Sequence, residues 1–221
     1  MPYVEYLNVA NVSEHLIKNL YDFVSPERQQ KAGRCKKSCD RIRCIVGEAL
    51  IRHYLICSCK MNNNNIFFER DYWHKPRLIT SRKLLFNLTH SGAWVICAWD
   101  NQEIGADVET VKSIPIEAML ELFHPDEISI LSDDKSDFFY TSFWTVKESY
   151  MKYRGMGFKL PMDSFCITKK NGLYVECSEP DVRFYQRKMD KESILTVCTK
   201  SKMPIKFQSV DIFEILEMFE M

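Results

Sequence analysis

The chain lacks an excess of either charge: 30 lysines and arginines stand against 30 aspartates and glutamates in 221 residues. A protein that grips duplex DNA through bulk positive charge needs a surplus, so no nucleic-acid partner is expected. It also lacks any apolar run of membrane-spanning length, and its first residues, MPYVEYLNVANVSEHL, have neither a basic start nor a continuous apolar stretch. No membrane association is expected, and a cytoplasmic location with reduced thiols follows. Nine cysteines are many, but the number is odd and they stand singly or in apolar settings such as Val95-Ile96-Cys97-Ala98. Cys57 and Cys59 have no second metal-type pair, so spacing shows no zinc site.

What is present is a mixture of helix and strand. The length suits one large domain or two small ones. Apolar residues at Phe139, Phe143, Val146, Tyr150 and Tyr153 mark one face of a helix that Gly155 can end, with Glu148 and Lys152 one turn apart on another face. A second long amphipathic helix carries Ile42, Ile45, Val46, Ala49, Leu50 and Tyr54. Strands are expected at 4–9, 66–69, 84–90, 94–99 and 104–109, short helices at 115–123 and 125–131, and a loop at 73–78, because the residue before a proline avoids helix. After Pro161 the pattern is mostly β, closing on an acidic amphipathic segment at 212–219. Ile45-Val46-Gly47-Glu48 lies 100 positions before Thr145-Val146-Lys147-Glu148, and each follows into a β meander. The expected class is α+β, with two similar lobes at 1–102 and 103–221.

In Ile104-Gly105-Ala106-Asp107-Val108-Glu109, alternation sends Asp107 and Glu109 to one face of a strand. Side-by-side carboxylates repel by about 4 kcal/mol at 4 Å and an effective dielectric of 20. If Glu148 joins them, a divalent cation is the natural remedy, and oxygen-only donors favour Mg²⁺ completed by substrate phosphate. Lys152 would then reach a phosphate oxygen. Thr89 and His90 add a hydroxyl and an imidazole at a strand end, and Lys75 is a further cation. From Arg28 to Arg43 the chain turns positive, the best place in a neutral protein for a phosphate. The bland alternatives are a surface Glu–Lys pair, a hydrated strand end and a solvated basic face.

The ordered set FNLTHS, IGADVE and WTVKESYMK resembles the three signature motifs of surfactin-type 4′-phosphopantetheinyl transferases, and FVSPERQQK and HKPRL extend the likeness over most of the chain. The resemblance implies two α+β lobes related by a pseudo-twofold axis, with coenzyme A in the cleft between them. It implies transfer of phosphopantetheine to a serine of an acyl or peptidyl carrier protein, with release of adenosine 3′,5′-bisphosphate, by a monomer serving fatty acid, polyketide or peptide synthesis. By motif position, Asp107, Glu109 and Glu148 would hold Mg²⁺, and Glu148 would also be the base. Lys152, Thr89, His90 and Lys75 would serve the pyrophosphate region, and Arg28, Lys31 and Arg43 the 3′-phosphate. His74 departs from the family, which often has glycine there. The segment 111–123, with Ile114, Ile116, Met119 and Leu120 beside Lys112, is expected to dock the carrier protein. The rivals are a metal-dependent nuclease or phosphodiesterase, which also uses Asp-x-Glu with a distant Glu and Lys, and a non-catalytic carrier-binding module.

Overall fold

The computed structural model describes residues 1–111, 120–131, 136–170 and 173–220. Lys112, Ile114, Ile116 and Met119, expected to dock a carrier protein, lie outside the described residues. The elements run β1 (Tyr3–Asn8), α1 (Glu14–Ile17), α2 (Pro26–Gly33), α3 (Ser38–Cys57), β2 (Phe68–Arg70), β3 (Pro76–Leu78), β4 (Leu85–Ser91), β5 (Trp94–Asp100) and β6 (Ile104–Thr110). They continue with α4 (Ile128–Leu131), α5 (Asp137–Tyr153), β7 (Ile167–Lys170), β8 (Leu173–Glu176), β9 (Arg183–Lys188), β10 (Ser193–Thr199), β11 (Lys206–Ser209) and α6 (Ile212–Glu220). The class is α+β, as expected. None of the described helices is long and apolar enough to cross a membrane.

Local chemistry sets the helix starts. Ser25 caps α2 by accepting the Arg28 N–H at 3.3 Å, with Pro26 in the first turn, and Ser136 caps α5 by accepting the Phe139 N–H at 3.2 Å. Gly155 follows α5 at φ +76°, the left-handed conformation that ends helices.

One sheet has the order β11-β1-β5-β4 and a second the order β6-β10-β9-β8-β7. The parallel pairing of β11 with β1 returns the end of the chain to the first sheet. Residues 76–78, expected as loop, pair with β2 as a short hairpin strand. Pro76 sits at the start of that strand, a position where the missing N–H is tolerated. Helix α3 covers the first sheet through Ile45, Val46, Leu50 and Leu55; α5 covers the second through Phe143, Val146, Tyr150 and Tyr153. A third apolar cluster joins Val4, Ile96 and Ala98 of the first sheet to Ala106, Val108, Leu195 and Val197 of the second.

The sheets meet edge to edge at β4 and β6, and the joint is made by side chains. Asn87 Oδ1, Thr89 Oγ1 and Ser91 Oγ accept the N–H groups of Ala106, Val108 and Thr110 at 2.9, 3.3 and 3.3 Å. Alternate residues of FNLTHS thereby satisfy an edge that would otherwise offer unpaired donors.

Candidate active site

Alternation on β6 sends Ala106 and Val108 into the core between the sheets and Gly105, Asp107 and Glu109 towards α5. A Cβ on Gly105 would lie 2.0 Å from Ser149 O and 2.3 Å from Tyr153 N. Only glycine lets α5 settle this closely, and that contact sets Glu148 and Lys152 beside Asp107.

Asp107 and Glu148 are 3 % and 7 % exposed. Asp107 Oδ1 accepts a bond from Lys152 Nζ at 2.5 Å and one from Thr89 Oγ1 at 3.3 Å. Glu109 Oε2 accepts from Ser91 Oγ at 2.6 Å. Asp107 Oδ2 and Glu148 Oε1 are buried with no hydrogen-bond partner among the described residues. Burial lifts the Asp107 carboxyl to about 6 against the pull of Lys152. It lifts Glu148 to about 7, with Asp107 and Glu109 adding repulsion that Lys152 only partly offsets. Orphaned carboxylate oxygens inside a protein are costly, and a hard divalent cation is the partner that oxygen donors suit. The donor set fits Mg²⁺. Lys152 occupies Asp107 Oδ1.

These acids line a cleft of about 1090 Å³, counted with its open mouth, whose walls include Arg28, Lys31, Arg70, His90, Trp144 and Phe158. A neighbouring hollow of about 520 Å³ shares Arg28, Lys31, Arg70, Pro76 and Leu88 with it and runs in over Phe68 and Phe86. Negative and positive ends therefore face each other along one groove. Lys31 is exposed there and makes no ion pair among the described residues. Arg28 is steadied by Glu48 at 3.2 Å. His90 is open to water at its edge, yet the cleft walls remove enough solvent to depress its pKa. Arg43, Lys152 and Lys31 push the same way, so the ring is neutral near pH 7.

Two of the expected phosphate cations are engaged elsewhere. Lys75 is buried, and its ammonium donates to Glu103 at 3.3 Å, Ile104 O at 3.2 Å and Lys152 O at 2.8 Å. It ties the end of α5 to the start of β6. Arg43 donates to Gly92 O and Asp40 at 2.5 Å each, beside rather than in the groove. The preceding His74 takes φ +65°, and the loop holds it there by bonds from Trp73 N and Lys75 N to Asp71 Oδ1. Sequence reasoning missed Arg70, Trp144 and Phe158. Phe158 carried a signal, an aromatic in a Gly-Phe-Lys loop with no periodic partner, and it is 79 % exposed.

Residues 103–198 match the model of the 4′-phosphopantetheinyl transferase superfamily, and residues 11–102 match that of the 4′-phosphopantetheinyl transferase N-terminal region. The chain is 33 % identical over 174 residues to 4′-phosphopantetheinyl transferase Sfp of Bacillus subtilis (strain 168), covering 77 % of each chain. It is 34 % identical over 188 residues to 4′-phosphopantetheinyl transferase gsp of Aneurinibacillus migulanus, covering 82 % of this chain and 78 % of that one.

The chain belongs to the 4′-phosphopantetheinyl transferase superfamily.

The likeness also extends, at 27 % identity over 153 residues, to 4′-phosphopantetheinyl transferase HetI of a Nostoc strain. Both halves of this phosphopantetheinyl transferase are matched, so the acid-bearing strand, the helix α5 and the basic segment all lie within the family's own span. These matches give the nuclease alternative no support.

Proposed function

We propose that the chain transfers 4′-phosphopantetheine from coenzyme A to the serine hydroxyl of an acyl or peptidyl carrier protein, with Mg²⁺. The observation that carries this is the pair of orphaned buried oxygens, Asp107 Oδ2 and Glu148 Oε1, at one end of a groove whose other end holds Arg28 and Lys31. Asp107, Glu109 and Glu148 would hold the ion, which when bound would neutralise charge on the diphosphate.

The serine oxygen forms its bond to the pantetheine-bearing phosphorus as the bond from that phosphorus to the adenylate oxygen breaks. Adenosine 3′,5′-bisphosphate leaves. Such a transfer needs positioning and charge neutralisation more than covalent help from the enzyme, consistent with a site holding no activated serine or cysteine. Glu148 accepts the serine proton. Lys152 moves from Asp107 to the phosphate oxygens, and neutral His90 donates a hydrogen bond. Arg28 and Lys31 take the 3′-phosphate, while Lys75 positions α5 and Arg43 the Gly92 turn. We place the two lobes at 1–102 and 103–221, with β11 and α6 folded back on the first, related by a pseudo-twofold axis. The groove needs no second copy, which supports a monomer, and nine free thiols support the cytoplasm.

The test is mass spectrometry of a panel of apo carrier proteins incubated with coenzyme A and Mg²⁺. A gain of one phosphopantetheine on the acceptor serine is expected; no gain across the panel overturns the reading.

A further inference from the structure

A second cluster of metal-ligating side chains lies apart from the groove, on the side of the molecule that packs over the far edge of the second sheet. His124 precedes the short turn Pro125–Glu127, and its Nδ1 accepts the Asp126 N–H at 3.2 Å. Its ring nitrogen is 3.6 Å from Asp126 Oδ2. Cys166 comes from the approach to β7, and its Sγ completes a set in which one ligand atom from each of the three residues lies within 4.8 Å of the others. Directly across the hairpin stands Cys177, whose N–H donates to Cys166 O at 2.9 Å. Its thiol is near enough to that of Cys166 to help raise that group's pKa. Cys177 is exposed and outside the group of three, so it can swing towards it.

We infer that His124, Asp126, Cys166 and Cys177 form a binding site for a thiophilic divalent ion of the Zn²⁺ type. Imidazole, carboxylate and two thiolates are a zinc ligand set, and tetrahedral bonds of about 2.0–2.3 Å place ligand atoms roughly 3.3–3.8 Å apart. His124, Asp126 and Cys166 already bring one ligand atom each within 4.8 Å of the others, and Asp126 is exposed. The ion takes the Nδ1 lone pair that now accepts the Asp126 N–H, leaving a donor that water can reach. Coordination ionises a ligating thiol, so binding releases protons and weakens as pH falls. The ligands come from two segments about forty positions apart, which is why the spacing of cysteines along the chain shows nothing.

The site also sits on a structural junction. Glu127, one residue past Asp126, accepts Lys147 Nζ at 2.7 and 2.9 Å and the Ile167 N–H at 2.6 Å, all buried. Lys147 is the neighbour of Glu148 on α5. A bound ion therefore pins the turn that anchors α5 to the strand β7.

The experiment is Co²⁺ titration of the reduced full-length chain, followed by displacement with Zn²⁺. One equivalent is expected to give thiolate-to-cobalt charge-transfer and tetrahedral ligand-field bands. The charge-transfer intensity should fall by about half in Cys177→Ser and vanish in Cys166→Ser/Cys177→Ser. The exposed Asp126→Asn change should weaken binding by at least the roughly 10-fold that losing even an outer-shell partner costs. Absence of thiolate bands overturns the inference, as do bands that persist in the double variant, unchanged affinity in Asp126→Asn, or a Cys166–Cys177 disulfide in the isolated protein.

Discussion

Glu48 and Glu148 stand 100 positions apart, each on a long helix packed over its own sheet and each almost wholly buried. Their surroundings differ completely. Glu48 accepts four bonds, from Ser25 N, Ser25 Oγ, Arg28 Nε and Arg52 Nε, at 2.6, 2.8, 3.2 and 2.9 Å. Glu148 Oε1 accepts none among the described residues, and its carboxyl is lifted to about 7. The first carboxylate is a structural rivet; the second is held short of partners, as a group awaiting a proton or a cation must be. Burial of an acid says little about its role until its bonds are counted.

Substitution separates the two glutamates most. Glu148→Gln should lower kcat by roughly 10²–10⁴ while leaving thermal stability intact or raised; a kcat near wild type would return Glu148 to the structural class. Glu48→Ala should do the reverse, costing roughly 3–5 kcal/mol in denaturant unfolding because Arg52 is left buried and unpaired. Its kcat in the cold should survive, with a weaker hold on coenzyme A because Arg28 loses its support.

The two buried carboxylates of the groove also respond to pH. Asp107 rises from 3.8 to about 6 and Glu148 from 4.5 to about 7 on folding. Between those limits the metal-free fold binds more protons than the unfolded chain, so its stability is greatest below pH 4 as far as these two groups go. It falls as pH climbs through 7. Glu148→Gln should remove about 3 kcal/mol of that fall, measured by unfolding in chelator. Mg²⁺ should stabilise the wild type more at pH 8 than at pH 5. Lys31→Ala should raise the KM for coenzyme A roughly tenfold and that for its 3′-dephospho form much less, since a charge-assisted phosphate bond is worth about 1.5–3 kcal/mol. His74→Gly should add about 0.5–1 kcal/mol to stability by relieving the left-handed backbone, read as a small rise in Tm.

How much of this was legible beforehand depended on distance along the chain. The row Phe143, Val146, Tyr150 and Tyr153 packs into one core, as its spacing foretold, and alternation placed Asp107 with Glu109 opposite Ala106 and Val108. Those are local signals. Pro76 to Leu78 reads as loop because a three-residue strand has no periodicity to detect; its partner β2 supplies the structure. Lys75 reads as a ligand cation because nothing nearby in sequence shows that Ile104 O and Lys152 O await it. The strand β11 returns across the whole chain to β1, a pairing no window can see. The motifs nominate Asp107, Glu109 and Glu148, which line one cleft, but nothing in them shows the orphaned oxygens that distinguish Glu148 from Glu48.

The joint between β4 and β6 has a consequence of another kind. A backbone ladder is indifferent to side-chain identity, and substitution scarcely alters its spacing. Here Asn87, Thr89 and Ser91 bridge the sheets themselves, and two of them also touch Asp107 and Glu109. The width of the groove is thus written in three codons. Exchanging one of these three residues for a near neighbour acts on the seam and on the placement of the acids together, while the backbone ladders of both sheets are untouched. Heredity has a fine-adjustment screw at this seam.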